Sequence, residues 1–201
     1  MLSNRIPAVV FMILAIIQNA VCQSVSTVKD REGNVYAIKL FPDNKLWMTQ
    51  NLNINIPGSY CYDNAEQNCK RYGRLYTWQS AQEACLALGD GWRLPTNEDW
   101  QTMARFFGGV GDDSKDSGRT AFKAFLIGGP SGFNTQFGGG RSADGKEYAR
   151  IEAHGFYWTA TTTDTTTAWL YNLGKNGKMV NRHNDTEKKR AFSVRCIHDA
   201  E

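Results

Sequence analysis

The sequence predicts an α+β domain in which two helices pack on antiparallel sheets and long loops fill the middle of the chain. Three observations predict it. Trp78, Ala81, Cys85 and Leu88 recur at three- and four-residue spacing and stop at Gly89, and Trp100, Met103, Ala104 and Phe107 repeat the spacing and stop at Gly108-Gly109, the pattern of two helices with one apolar face each. Runs with strand alternation lie before and after this pair. Two glycine-rich stretches, 108–118 and 128–140, separate the helices from the final strands. Strands, helices, loops and strands again is the order expected when the first and last strands share a sheet.

Residues 1–22 carry one positive charge, Arg5, then an apolar run from Pro7 to Ile17, and end Ala20-Val21-Cys22. This is the composition of a secretory signal peptide, and the run is shorter than the roughly 18 residues a spanning helix needs. Ordinary cleavage before Gln23 is expected, with lipidation of Cys22 as the alternative. Residues 23–201 are then one domain, and no transmembrane span follows the signal. The whole chain has 23 Lys plus Arg against 20 Asp plus Glu. So balanced a charge argues against a nucleic-acid partner.

In chain order, residues 25–29 and 34–41 read as a hairpin around Asp30-Arg31-Glu32-Gly33, and residues 45–50 as a third strand after the turn Pro42-Asp43-Asn44. Residues 51–76 read as an irregular, tyrosine-rich loop. Trp92-Arg93-Leu94-Pro95-Thr96 is a rigid elbow between the helices, with Thr96 as N-cap of the second helix and Asp99 as its capping-box partner. Residues 108–118 are expected to be a mobile loop and residues 119–126 a short helix. Residues 133–154 form a second long loop. Strands are expected at 155–161, 166–173, 178–181 and 190–197, with turns at 163–165, 174–177 and 184–186.

Four cysteines follow the signal, Cys61, Cys69, Cys85 and Cys196, and export implies an oxidised state with three possible connectivities. Cys85 shares a helix face with Trp78 and Ala81, and Cys196 shares a strand face with Phe192 and Val194. Both thiols therefore point to the core, which pairs Cys85 with Cys196 and leaves Cys61 with Cys69 to close a local loop. No CxxC or HxH spacing suggests a metal site, and no cofactor is expected.

Candidate ligand residues are Trp158 and Trp169, with Arg141 and Asp144 in the long loop beside them. Exposed tryptophans stack on sugar rings; their strand positions make burial the main expectation. Lys175, Lys178, Arg182, Lys188, Lys189 and Arg190 place positive charge on a C-terminal hairpin region, suited to an acidic partner or to a solvated sheet edge. His154, His183 and His198 have no evident nucleophile or paired carboxylate in motif, and Asp112, Asp113 and Asp116 fall short of a calcium ligand ladder. An enzyme is not expected.

The motifs Asn34-Val35-Tyr36, Leu46-Trp47-Met48-Thr49-Gln50-Asn51-Leu52-Asn53, Tyr72-Gly73-Arg74-Leu75-Tyr76-Thr77-Trp78, Gly91-Trp92-Arg93-Leu94-Pro95-Thr96, Tyr157-Trp158-Thr159-Ala160-Thr161 and Phe192-Ser193-Val194-Arg195-Cys196 together resemble the Fibrobacter succinogenes major paralogous domain family, over nearly all of residues 25–198. The resemblance implies a C-type-lectin-like fold, in which a cysteine on the first helix pairs with one on the last strand. It does not carry over a calcium-dependent sugar site, because neither the Glu-Pro-Asn or Gln-Pro-Asp triplet nor the Trp-Asn-Asp triplet occurs. The expected function is an exported, non-catalytic binding module of the bacterial cell envelope, presenting loops to a protein at the outer membrane or to a glycan. The competing expectation is an accessory subunit of an outer-membrane assembly.

Overall fold

The computed structural model describes residues 26–200, so the expected signal peptide and Cys22 lie outside the described residues. The fold is α+β. Strands β1 (Ser26–Lys29), β2 (Val35–Leu40) and β3 (Lys45–Met48) form the expected meander, followed by β4 (Ser59–Tyr60), helix α1 (Glu66–Tyr72), β5 (Leu75–Tyr76), α2 (Trp78–Leu86), β6 (Trp92–Arg93), α3 (Asn97–Arg105) and α4 (Arg119–Phe125). The chain continues through β7 (Gly140–Arg141), β8 (Tyr148–Ala149), β9 (His154–Thr162), β10 (Thr167–Gly174), β11 (Met179–Glu187) and β12 (Ile197–Asp199). Among the described residues no helix is long and apolar enough to cross a membrane.

The main sheet runs in the order β1-β2-β3-β12-β6, all neighbours antiparallel, so the first and last strands do share a sheet. A second antiparallel sheet runs β11-β10-β9, and β4-β5 and β7-β8 are two-residue ladders. Helix α3 begins as its sequence dictates. The Thr96 hydroxyl accepts from Asp99 N–H at 3.1 Å, the Asp99 carboxylate accepts from Thr96 N–H at 2.8 Å, and Arg93 Nη1 donates to that carboxylate at 2.6 Å. Two orphan amides of the first turn are thereby satisfied.

Two aromatic-rich cores hold the layers together. One gathers Met48, Leu52, Tyr76, Ala81, Cys85, Trp158, Phe192, Val194 and Cys196; the other centres on Trp47, Trp100, Phe133, Tyr157 and Tyr171, where Trp100 stacks on Tyr171 with ring centroids 4.8 Å apart. Both expected disulfides are present: Cys85 with Cys196 across 111 residues, and Cys61 with Cys69 across eight.

Several expectations are corrected. Residues 66–72 are helical, not loop; only Cys69 and Tyr72 are buried on that helix, too few apolar positions to show a period. The elbow is half strand, because Trp92 and Arg93 pair with His198 and Ile197. The long loop contains the β7-β8 ladder. Strand β11 runs straight through the turn expected at 184–186: its far end pairs with Thr167 and Ala168, a bulge between Ala168 and Leu170 takes up the register change, and its exposed polar residues imitate turn composition. Residues 190–197 are not one strand. Ala191, Phe192 and Ser193 make single bridges to Arg141, Tyr76 and Tyr157 in turn, and only Ile197 enters a ladder. The alternation nonetheless holds, since Phe192, Val194 and Cys196 all enter one core. Residues 108–118 contain a short 3-10 helix at Gly111–Asp113, and the Asp116 carboxylate accepts from Arg119 N–H, Thr120 N–H and the Thr120 hydroxyl at the start of α4.

Candidate functional site

The two tryptophans chosen from sequence do not make a site. Trp158 is fully buried, with its indole N–H donated to Tyr76 O at 2.8 Å, so it cannot stack on a ligand. Trp169 is half-buried on β10 under the Arg182 guanidinium, 5.2 Å from the ring centroid. The expected basic patch is also divided. Lys175 and Lys178 lie at one end of the nine-residue β11 and Lys188 to Arg190 at the other, roughly 30 Å apart at strand rise. Between them, Arg182 Nη2 is paired with Asp112 at 2.6 Å.

Arg141 and the Lys188-Lys189 pair do meet. They line a cleft of about 530 Å³ together with Tyr60, Thr77, Trp78, Gln79, Ala143 and Thr165. Each wall has a local cause. Tyr60 stands on β4, fixed by pairing with Leu75. Thr77 is the N-cap of α2, its hydroxyl accepting from Ser80 N–H, so Trp78 falls in the first helical turn, where part of its ring clears the helix. The indole is oriented from beneath by donation to Thr159 O at 2.8 Å, and its backbone N–H is donated to Lys188 O at 3.1 Å. Arg141 is clamped at the backbone by a reciprocal pair of bonds with Ala191, 2.9 and 3.1 Å. The cleft therefore sits where α2, both short ladders, the β9-β10 turn and the turn after β11 converge.

Its electrostatics are one-sided. Among the lining residues there are three cations and no carboxylate. Lys188 Nζ lies 4.4 Å from the Trp78 ring centroid and bonds the Thr162 hydroxyl at 2.8 Å, Asp164 O at 2.7 Å and Thr165 O at 3.3 Å; its charge is fixed in place and it braces the threonine turn. The Arg141 guanidinium lies over Tyr60, 3.9 Å from the ring centroid. Such placements favour the cation and hold it still. Asp144, named from sequence beside Arg141, serves its own turn: it accepts from the Ser142 hydroxyl at 2.6 Å and Lys146 N–H at 3.1 Å, which hold its carboxyl below the usual range.

Cys61, Glu66 and Cys69 cluster closely enough to suggest a metal set, but both sulfurs are in the disulfide, leaving a single carboxylate and no thiolate to bind an ion. Of the histidines, His154 shares a hydrogen bond with Asn172 at 3.0 Å and His198 packs against Trp92. Sequence reasoning missed Trp78 and Tyr60 as cleft walls. The signal was present in Trp78's place directly after an N-cap threonine, since a side chain in the first turn has no preceding turn to cover it.

Neither the curated proteins nor the solved structures contain a match to the chain. The profile of the Fibrobacter succinogenes major domain matches residues 42–198, which spans the cleft, both disulfides and the elements from β3 to β12 except Asp199, and leaves Asn34-Val35-Tyr36 outside. With that match over most of its length, the chain belongs to the Fibrobacter succinogenes major domain family.

Proposed function

We propose that this protein is an exported, non-catalytic binding module of the bacterial cell envelope, of C-type-lectin-like class, whose ligand face is the cleft walled by Tyr60, Trp78, Arg141 and Lys189. The observation that carries the reading is the cleft itself: two half-buried aromatics and three cations on a scaffold braced by two disulfides. Recognition sites combine apolar faces with a few oriented polar groups in this way. Export is supported by the leader-like residues 1–22 and by the two disulfides, which belong to an oxidising compartment. A binding role is supported by the lining, in which two aromatic faces, hydroxyls and an amide stand beside three cations.

The test is affinity purification of the tagged native protein from detergent-solubilised envelope, with intact-mass analysis of the eluate. The expected result is co-purification of a partner or glycan that a Trp78→Ala, Lys189→Gln variant no longer retains. Recovery of the same partner by that variant sinks the cleft as ligand face and favours the accessory-subunit role. The mass also reports processing: a start at Gln23 is expected, and a lipidated Cys22 would place the protein on a membrane surface.

A further inference from the structure

Arg141 carries an open account of hydrogen bonding. Among the described residues its guanidinium makes no hydrogen bond and no ion pair, and its Nε is buried with no partner. The other basic groups near it differ. Lys188 donates to three oxygens, whereas Lys189 is exposed and adds charge without a fixed geometry. The turn behind Arg141 closes on it so tightly that a Cβ on Gly145 would fall 2.3 Å from Nη2. The side chain is thus held by a ring on one side and a glycine turn on another, with the Asp144 carboxylate as a neighbouring charge but no ion pair bonded to it. Two carboxylates adjoin the lining in sequence, and both are occupied: Asp144 with Ser142 and Lys146, and Asp164 with Thr166 and Thr167.

A planar cation that is fixed, desolvated along one edge and unpaired suits a planar two-oxygen anion, because the fork matches a carboxylate bidentately. The remaining walls suit a sugar. Tyr60 and Trp78 offer ring area, while Thr77, Gln79 and Thr165 supply hydroxyl and amide groups that both donate and accept, as sugar hydroxyls require. An acidic peptide fits less well, because peptides commonly dock by adding a strand to a free sheet edge or by laying a helix in an apolar groove, and the ladders here are two residues long.

We propose that the cleft binds a carboxylate-bearing saccharide, with Arg141 gripping the carboxylate, Tyr60 and Trp78 flanking the sugar ring and Lys189 adding long-range attraction, and that it does so without calcium. The assignment rests on the binding-module reading above and names the chemistry of its ligand. Substitution of Arg141 removes the charge-assisted pair and costs about tenfold or more in affinity. Loss of Lys189 costs only a few-fold and shrinks as salt is raised.

The test uses the mature chain with both disulfides formed, in calcium-free buffer. It is applied to an array of uronate- and sialate-terminated glycans, their methyl esters, neutral glycans and a glutamate-rich peptide, and hits are titrated against wild type, Arg141→Gln and Lys189→Gln. The expected result is binding of acidic glycans, about tenfold loss on methyl esterification of the same glycan, and a matching loss in Arg141→Gln with an unchanged circular dichroism spectrum. Equal binding of acid and ester, no binding of any acidic glycan, or tighter binding of the peptide each overturns the proposal. The ester comparison is made on wild type, so it decides even if Arg141→Gln fails to fold. An envelope partner retained by wild type but indifferent to Arg141→Gln overturns the saccharide site and leaves the binding module standing.

Discussion

The Arg195 guanidinium is buried against Phe133, 4.6 Å from the ring centroid, and its Nη1 donates to Phe133 O at 2.8 Å. The same side chain donates to Asn51 Oδ1, Met48 O and Asn134 O. A fully buried cation with no carboxylate partner is thus solvated by four oxygens and two aromatic faces, and burial pulls its pKa down to about 10 while leaving it charged at neutral pH. It pins the start of the long loop at 133–134 to β3 and to the last segment of the chain. Arg195→Met should cost about 3–5 kcal/mol, because four buried oxygens lose their donor at once. Arg195→Lys should rescue little of this, since one ammonium cannot reach oxygens arrayed around a planar fork. Chemical denaturation of the two variants decides it.

Removing the disulfides should separate their contributions by loop length. In the chain-entropy account, losing Cys85–Cys196, which closes 111 residues, costs about 4.8 kcal/mol, and losing Cys61–Cys69, which closes eight, costs about 2.5 kcal/mol. Paired Cys→Ser variants compared by urea unfolding check the order. A larger loss from the local pair would mean that it orders α1 and the Tyr60 wall in the native state, beyond constraining the unfolded chain.

Much of this was legible in the sequence for reasons of period and cap. Helices α2 and α3 follow from apolar spacing, the Thr96-Asp99 box from residue type and offset, and the Cys85–Cys196 pair from the faces on which the two thiols fall. What failed depended on neighbours distant in sequence. Trp158 and Trp169 stand eleven residues apart on adjacent strands, yet only the first is fully enclosed, and no local pattern separates a buried strand face from one under a single arginine. The cleft joins Tyr60, Trp78, Arg141 and Lys189 from four separate segments. Arg141 was legible as a candidate because it lies in a long loop, but its setting over Tyr60 was not, because nothing local fixes the approach of β7 to β4.

Acid should act through Asp99. Burial alone would raise its carboxyl; the bonds from Arg93, from Thr96 N–H and from the Thr96 hydroxyl outweigh burial and hold it below the usual range. A depressed carboxyl contributes stability that is present above the ordinary aspartate pKa of about 3.9 and is lost as pH falls through the lower folded value. Asp99→Asn should therefore cost about 2 kcal/mol at neutral pH through the broken capping box and ion pair, and the gap from wild type should narrow below about pH 3.5. Thermal unfolding of both proteins from pH 7 to pH 2 measures it, and a gap that stays constant would assign the loss to packing instead.

Gly145 should be the residue that the Arg141 side chain tolerates least in altered form. Its φ of +77° disfavours any side chain, and an added Cβ would meet Nη2 at 2.3 Å. Gly145→Ala should cost about 1 kcal/mol in stability from the backbone alone, and in addition it should push the guanidinium off Tyr60. If Arg141 is the anion-gripping group, the variant loses affinity for acidic glycans well beyond its loss of stability. Calorimetric binding and unfolding on the same sample report the two effects separately, and a stable variant with unaltered affinity would show that the guanidinium need not be held where it is.

Trp78 and Trp169 make the sharpest contrast for the proposed ligand face. Both are half-buried and both lie beside a cation, Lys188 at 4.4 Å from one ring and Arg182 at 5.2 Å from the other. Only Trp78 lines the cleft. If the cleft binds ligand, Trp78→Ala should weaken binding about tenfold or more, as expected for loss of an aromatic anchor at a binding centre, and Trp169→Ala should leave affinity within about twofold. Stability does not predict this split, because both rings are half-buried and each substitution should cost a few kcal/mol. Titration of both variants with one acidic glycan, together with ligand-induced change in tryptophan fluorescence, tests it. A spectral response that survives in Trp78→Ala but vanishes in Trp169→Ala would move the ligand face to the β10-β11 side of the molecule.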